Sequence, residues 1–297
     1  MDLLRHLLEA PTAVAPIDSA RACFALLERL DASLGDASTV DRAAAGGFAA
    51  DRLGYAFLAG YRAALRALDP TLARASLCAT ETDGAHPRAI HTRLEDGVLT
   101  GEKTFATLAS VADELLVVAS LGERDGRNHL QVARIPVARA GVTIRDREAP
   151  PFAPEIPHAR VTLEAVRVEP GELLDGDGYE RVLKPFRTLE DLHVAAAWLG
   201  HVARLARAYG PDEALLERAL AALAALRDLG AHDPADAATH VALAGVLAEA
   251  GGVAGACRLS QAEEPVRSRW QRDLPLLAVA GKARELRRAA AHRRFGH

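Results

Sequence analysis

The spacing of apolar residues changes twice along this chain, and this change limits the possible folds more than any single motif does. Apolar residues recur at helical spacing up to Asp69-Pro70, fall into short β-rich runs from Ala75, and return to helical spacing at Thr188. This order predicts an α+β fold with a helical N-terminal part, a central β-barrel or sandwich and a C-terminal helical bundle. The predicted divisions are residues 1–74, 75–169 and 170–297.

Two helices are predicted before the β-rich part. Ser19 is placed to cap the first helix, and Gly35 ends it. The second helix follows Ala44 and ends at Asp69-Pro70, because proline cannot continue a helix. Their apolar stripes contain Cys23, Leu26, Leu27, Leu30 and Leu34 in the first helix and Leu53, Phe57, Tyr61, Leu65 and Leu68 in the second.

The β-rich part contains a strong hairpin signal and three further strand candidates. Asp96-Gly97 separates two short runs, and glycine supplies the positive φ that tight hairpin turns require. The three candidates cover residues 114–120, 129–137 and 158–168, and Gly, Asp and Pro clusters separate them.

The C-terminal part is predicted to be helical throughout. A helix is expected to begin at Thr188, after the turns at Pro170-Gly171, Gly176 and Gly178. Three more helical segments are expected over residues 215–226, over residues 241–250 with a break at Gly251-Gly252, and over residues 274–295.

Charge and cysteine content narrow the function classes. The formal net charge of -4 provides no overall attraction to nucleic acid or to an anionic membrane. Cys23, Cys78 and Cys257 are far apart and lack the spacing of a metal or redox motif, so no metal site is expected and the thiols indicate a reducing cytoplasm. No secretory signal or membrane span is expected, and the predicted location is cytoplasmic.

Three stretches carry a resemblance to a known family. They are LCATETDGAHP (77–87), DGVLTGEKTFATLASVADELLVVAS (96–120) and VTLEAVRVEPGELLDGDGY (161–179). In this order they resemble the TEPGAGSD-like turn, the NGxKxWIT-like strand and the following strand and turn of the acyl-CoA dehydrogenase family. The C-terminal RDLPLLAVAGKARELRRAAAHRRF (272–295) is similar to that family's final helix. The chain is identified as a short, diverged member, with a shorter N-terminal helical part.

The resemblance implies a flavoprotein that binds FAD and oxidises an acyl-CoA thioester. It also implies a homo-oligomer, with an electron-accepting flavoprotein as a possible partner. Thr80 stands where the family's threonine contacts the flavin, and Phe105-Ala106-Thr107 stands where a W-I-T triplet lies against the isoalloxazine. The flavin-binding residues implied in this way are Leu77, Ala79, Thr80, Ala85, His86, Phe105, Ala106 and Thr107.

The residues alone also permit ordinary structural roles at these positions. Phe105 could be a core residue, Thr107 a strand threonine and His86 a surface-loop histidine in place of the family's serine. The family's R-x-F-G segment, which helps to hold the flavin adenine, is absent from the chain.

The resemblance gives two positions for a catalytic base. Most members take a glutamate from the final helix, nine residues after the Arg of the RD pair, but that position is Gly281 here. Others, such as isovaleryl-CoA dehydrogenase, take it from an earlier helix, and that position is Glu190. Glu190 is therefore the expected base, and Asp191 beside it should raise one pKa of the pair.

A competing interpretation is that Thr188 caps a helix whose first turn contains Glu190 and Asp191. Acidic residues in a first turn stabilise the positive end of a helix. Two other functions also stay open. One is a degenerate member that binds an acyl thioester or a protein without turnover, and the other is flavin-dependent oxygenation.

Other polar residues of the C-terminal part permit a functional or an ordinary role. Arg187 could meet a phosphate or a carboxylate, while His193 and His201 have the spacing of core or surface histidines rather than of a metal pair. A C-terminal basic run could attract phosphates or form a solvated helix end. The run consists of Lys282, Arg284, Arg287, Arg288, Arg293 and Arg294.

Overall fold

A computed structural model describes residues 2–210 and 212–296, and the chain divides into two compact units. The first unit is helical and contains the residues up to Thr71, the segment Pro151–Glu155 and the residues from Phe186 onward. The second unit carries the strands and contains Leu72–Pro150 and Ile156–Pro185. The expected α+β class is confirmed, and the N- and C-terminal helical parts belong to the same unit.

Capping and glycine residues mark some of the ends of the helices that precede the strands. The predicted cap is confirmed, since the Ser19 hydroxyl accepts a hydrogen bond from the Ala22 N–H, and Gly35 has a φ of 56° just after the helix. The expected start of the next helix was wrong, because Ala44 lies inside an earlier helix. The four helices are α1 (Leu3–Glu9), α2 (Ala20–Ser33), α3 (Thr39–Ala49) and α4 (Leu53–Leu68).

The C-terminal helices differ from the prediction at two places. The predicted break at Gly251-Gly252 was wrong, because a continuous helix runs through both glycines. The last predicted helix is interrupted, because Pro275 lies in a 3₁₀ turn and Ala280 has a φ of 66°. These helices are α5 (Lys184–Ala208), α6 (Glu213–Leu229), α7 (Ala237–Ala256), α8 (Glu264–Asp273) and α9 (Gly281–Arg294).

Helix α7 is apolar over most of its length. It is long and apolar enough to cross a membrane, and about 33% of its most apolar stretch is buried. One such helix is weak evidence for a membrane span, because core helices of ordinary globular proteins meet the same criteria. No membrane-spanning segment was expected from the sequence of α7.

Helix α5 begins earlier than predicted, which removes the helix-cap interpretation of Glu190. A π-helical segment, Tyr179–Leu183, leads without interruption into α5, whose second residue is Pro185. Thr188 is therefore inside the helix, with 1% of its surface exposed, and its hydroxyl lies 3.2 Å from Nε2 of His240. Glu190 follows in the second turn, where the backbone N–H groups already have helical partners.

Two glycines allow α3 and α5 to pack at backbone contact distance. A Cβ atom on Gly47 would lie 1.9 Å from the carbonyl oxygen of Ala197, and one on Gly200 would lie 2.0 Å from that of Ala44. Neither position has room for a side chain. Close packing of this kind fixes the position of α5 along the neighbouring helix, and α5 carries Glu190.

The strands form one mixed sheet within the described residues, and the sheet does not close into a barrel. Hydrogen-bonded neighbours follow the order β1-β4-β2-β3-β7-β6, and β5, which is outside this order, also pairs with β4. Strands β1 and β2 run parallel to β4, and the other pairs are antiparallel. The strands are β1 (Ala75–Cys78), β2 (Arg93–Glu95), β3 (Val98–Thr107), β4 (Glu114–Arg124), β5 (Arg127–Pro136), β6 (Val142–Asp146) and β7 (His158–Arg167).

The predicted hairpin and the three further strand candidates are confirmed. Asp96 and Gly97 join β2 to β3, with φ values of 49° and 74° that this tight turn requires. The inward side chains of the sheet form an apolar core to which β3, β4, β5 and β7 all contribute. Its fully buried members include Cys78, Leu99, Ala106, Leu115, Val117, Ala133, Ile135, Ala159 and Val161.

A buried ion pair joins β3 to the turn that follows β1. The Nζ atom of Lys103 lies 2.6 Å from Oε1 of Glu81, and neither residue has more than 6% of its surface exposed. The Glu81 carboxylate also accepts hydrogen bonds from the N–H groups of His91 and Thr92. Burial alone would raise the pKa of Glu81, but Lys103 and these two donors outweigh it and lower the pKa.

We expect Lys103→Met to lower the free energy of unfolding by about 3 to 5 kcal/mol, because it leaves the Glu81 carboxylate buried without its cation. Urea denaturation at neutral pH would measure the change. The double variant Glu81→Gln/Lys103→Met should recover part of the loss.

Arg160→Met is the matched control for this prediction. Arg160 pairs with Glu102 between β3 and β7, but both side chains are exposed, so the loss should stay below about 1 kcal/mol. Equal losses in Lys103→Met and Arg160→Met would contradict a structural role for the buried pair.

Candidate functional site

Asp191 in α5 is held by two arginines from α9. Its Oδ1 atom accepts a hydrogen bond from Nε of Arg284 at 2.7 Å, and its Oδ2 atom accepts one from Arg287. Asp191 is buried, so this paired arrangement satisfies a carboxylate that burial would otherwise penalise. Two members of the C-terminal basic run are therefore committed to an internal contact and are not a freely solvated helix end.

Glu190 lies beside this cluster and has a different environment. It is half-buried, and its carboxylate has no hydrogen bond or ion pair with any residue that the structure describes. Burial, as the larger cause, and the negative charge of Asp191 raise the pKa of Glu190, the three arginines Arg284, Arg287 and Arg187 lower it, and the net result is a pKa of about 7. A carboxyl group with a pKa near neutrality can both release and accept a proton at physiological pH.

The alternative base position carries no acid–base group. Gly281 is the first residue of α9 and is exposed. The acidic residue nearest to it in α9 is Glu285, one turn further along the helix, and it is also exposed. Of the two base positions that the resemblance indicated, the one at Glu190 carries a carboxyl group, and the pKa of this group is raised.

Thr80 and Phe105 are neighbours in the strand-bearing unit. They form an antiparallel bridge, and the Thr104 N–H donates to the Thr80 carbonyl at 2.9 Å. Residues directly opposite each other in such a bridge project their side chains from the same face. Within the described residues the Thr80 hydroxyl has no hydrogen-bond partner, and 43% of the Phe105 surface is exposed. An unpaired hydroxyl therefore lies beside an exposed aromatic ring.

Two residues that the sequence analysis missed hold the Phe105 ring in place. His158, at the start of β7, stacks on it with ring centroids 4.3 Å apart and an angle of 25°. The guanidinium of Arg147 lies 5.6 Å from the centroid of the Phe105 ring, and Arg147 donates to the Thr104 carbonyl. Burial and the nearby Arg147 lower the pKa of His158 to about 4, so the imidazole is neutral near pH 7.

The two residues after Phe105, Ala106 and Thr107, mainly make contacts within the sheet. Ala106 is fully buried in the apolar core. The Thr107 hydroxyl lies 3.2 Å from Nδ1 of His158, and its backbone carbonyl accepts a hydrogen bond from the Ser76 hydroxyl. Thr107 therefore orients the ring that stacks on Phe105.

The remaining predicted flavin residues surround the turn after β1. Leu77 and Ala85 are half-buried and Ala79 is buried. His86 is exposed, and its Nδ1 atom accepts a hydrogen bond from the Arg88 N–H, so it caps the short 3₁₀ turn Pro87–Ala89. The eight predicted flavin residues thus all lie in the strand-bearing unit, whereas Glu190 lies in the helical unit.

His193 and His201 have structural roles in α5. His193 lies between the Leu189 carbonyl and the Thr39 hydroxyl, and burial lowers its pKa to about 4. Burial also lowers the pKa of His201 well below its usual value. Among the residues that the structure describes, no group of three or more His, Cys, Asp and Glu side chains could hold a metal ion.

We expect Glu190→Gln to be more stable than the parent protein at pH 8 by about 1 to 2 kcal/mol, a value reduced from the full pKa shift because Glu190 is only half-buried. The folded pKa of about 7 exceeds that of the unfolded chain, so the parent protein loses stability as the pH rises from about 4.5 to about 7. Glutamine does not titrate and lacks this loss.

Urea unfolding of both proteins at pH 4.5, 6 and 8 would measure the difference, which should be near zero at the lowest pH. Glu217→Gln, at an exposed position in α6, controls for the removal of one negative charge. A stability difference for Glu190→Gln that does not change with pH would contradict the raised pKa.

Comparison with known proteins gives matches among solved structures only. No family model and no curated protein matches the chain. An FAD-dependent dehydrogenase matches with a TM-score of 0.71 and 15% identity, over 99% of this chain and 96% of that chain. Butyryl-CoA dehydrogenase from Megasphaera elsdenii matches with a TM-score of 0.66 and 16% identity, over 98% of each chain.

FMN-bound TdsC from Paenibacillus sp. A11-2 also matches, with a TM-score of 0.64 and 18% identity, over 92% of this chain and 89% of that chain. At these identities the likeness concerns the fold, and the resemblance expected from the sequence motifs is confirmed at that level. The chain has the acyl-CoA dehydrogenase-like fold.

Proposed function

We propose that this protein is a flavin-dependent oxidoreductase that dehydrogenates an acyl thioester, with Glu190 as the base. The observation that carries the proposal is a half-buried carboxyl group, Glu190, that has no ion pair within the described residues and stands at a position where some acyl-CoA dehydrogenases carry their base. Its raised pKa, about 7, agrees with this role. The fold supports the flavin part, because solved structures that share it include an FAD-dependent dehydrogenase and an FMN-bound protein.

The surface around Phe105 fits a flavin. The partly exposed Phe105 ring offers apolar surface, and the Thr80 hydroxyl, which has no partner within the described residues, can donate a hydrogen bond to a nitrogen or oxygen of the flavin ring. Arg147 places a positive charge near the same ring, which favours an electron-rich or anionic group. When bound, the flavin supplies the acceptor for the hydride that leaves the β-carbon of the acyl group. FAD is the expected form.

Glu190 removes the α-proton of the thioester in this proposal. Its ionised carboxylate accepts the proton on an oxygen, and a base with a pKa near 7 is about half ionised at neutral pH while still being a strong enough acceptor. The oxygens of Asp191 accept hydrogen bonds from Arg284 and Arg287, so Glu190 is the one of the two adjacent carboxylates that is left to accept the proton. Asp191 acts as a positioning residue whose charge raises the pKa of its neighbour.

We expect Phe105→Ala to weaken flavin binding about tenfold, or about 1.4 kcal/mol, because it removes the exposed aromatic face. Fluorescence titration with FAD and with FMN would give the dissociation constants and identify the preferred flavin. Leu121→Ala is the matched control, since Leu121 is 41% exposed on β4 of the same sheet. Purified protein that stays colourless after incubation with either flavin would overturn the proposed function and favour a binding protein without redox turnover.

We expect Glu190→Gln to retain bound flavin but to lose substrate-dependent bleaching of its visible absorption by at least about a hundredfold, because the α-proton then has no acceptor. A panel of saturated acyl-CoA thioesters would be mixed anaerobically with each protein. The bleaching rate of the parent protein should rise with pH through about 7, following ionisation of Glu190.

Glu217→Gln should bleach as the parent protein does, since Glu217 lies on the exposed side of α6. Unchanged bleaching in Glu190→Gln would remove Glu190 from the role of base. Consumption of reduced flavin by oxygen with hydroxylation of an added substrate, in place of bleaching by thioesters, would favour a monooxygenase.

A further inference from the structure

A cavity of about 360 Å³ lies between α7 and α9, within the helical unit. Its size falls in the range of ~300 to 1,000 Å³ that is typical of small-molecule sites. Glu190 is not among the residues that line it. Gly281, the other position at which the resemblance allowed a base, does line the cavity, and so do Arg284 and Arg287, which pair with Asp191.

The two walls of the cavity have opposite chemical character. Helix α7 contributes an apolar wall, in which Leu243 and Leu247 are the largest side chains. Helix α9 contributes Arg284, Arg287 and Arg288. A ligand that satisfies both walls has an aliphatic part against α7 and a negatively charged group against α9.

The charges of the cavity leave one cation uncompensated. Arg284 and Arg287 share the single charge of Asp191, which does not line the cavity. Arg288 forms no ion pair within the described residues, and Glu285 is the one lining carboxylate among them. One anionic group of a ligand would therefore neutralise the arginine wall, and Arg side chains bind carboxylates and phosphates with paired hydrogen bonds.

Part of the apolar wall is exposed to solvent. Helix α7 is apolar over most of its length, yet only about a third of its most apolar stretch is buried by the protein. Leu247 is half-buried, and Ala248 beside it is exposed. Covering such surface with an aliphatic chain contributes about 25 cal/mol for each Å² removed from water.

We propose that the α7–α9 cavity binds an amphiphile with one anionic head group and a short aliphatic chain. The head group contacts the arginine wall, mainly Arg288, and the chain lies along Leu243 and Leu247. A carboxylate and a phosphate monoester share this chemistry. The site does not require a flavin or turnover, so it is tested independently of the proposed function.

Isothermal titration calorimetry of the purified full chain with sodium octanoate and with octyl phosphate tests this site. Binding of either probe is expected, and the tighter one identifies the head group. Octanol has the same chain without a charge, and acetate and inorganic phosphate have a charge without the chain, so all three should bind at least tenfold more weakly. Equal binding of octanol, or equal binding of the small anions, would overturn the proposal, as would no binding of either amphiphile.

Two pairs of variants locate the ligand. Arg288→Gln should weaken binding about tenfold, whereas Arg293→Gln, an exposed arginine of α9 that does not line the cavity, should leave it unchanged. Leu247→Asn should weaken it similarly, and Leu286→Asn, at a position 63% exposed on α9 outside the cavity, should not. Equal effects within either pair would place the ligand elsewhere. Because these positions are half-buried or exposed, circular dichroism should show unchanged folding in all four variants.

Discussion

The buried contact between Lys103 and Glu81 holds together the part of the sheet on which the proposed flavin surface lies. Both charges are removed from water, and the pair is satisfied only when β3 and the turn after β1 are in register. That register also sets Thr80 opposite Phe105. The arrangement of Thr80 opposite Phe105 thus depends on an ion pair between two buried residues of the same unit.

Glu190 and Asp191 illustrate how two adjacent carboxylates acquire different properties. Asp191 forms a buried ion pair with two arginines, while Glu190 is half-buried and has no such partner among the residues that the structure describes. The distinction depends on α9, because both arginines come from that helix. A substitution of Arg284 or Arg287 in α9 would therefore alter the pKa of Glu190, which belongs to α5.

Local chemistry predicted the element order, the Ser19 cap and the turn at Asp96-Gly97, because each depends on residues close together in the chain. The start of α5 was missed, since Thr188 has the residue type of a cap, although Pro185 offered a better signal. The glycines of α7 did not end the helix, because glycine costs only about 1 kcal/mol there and the surrounding alanines favour continuation.

The contacts of the candidate site were harder to predict, because they depend on register between distant segments. His158 lies 51 residues from Thr107, and no local pattern indicates that β7 brings its ring onto Phe105. The pairing of Asp191 with α9 joins residues more than 90 positions apart. The raised pKa was anticipated from the neighbouring charge, whereas burial, which is its larger cause, required the structure.

The close contact of α3 and α5 through Gly47 and Gly200 has a consequence for how this protein could change over evolution. Because carbonyl groups occupy the space where side chains would be, α5 cannot slide along or rotate against α3 to accommodate a new substrate. Adaptation to a different ligand would have to come from side chains or from other elements. The position of the Glu190 carboxylate on α5 would therefore stay constant, while the other residues of a binding site could vary.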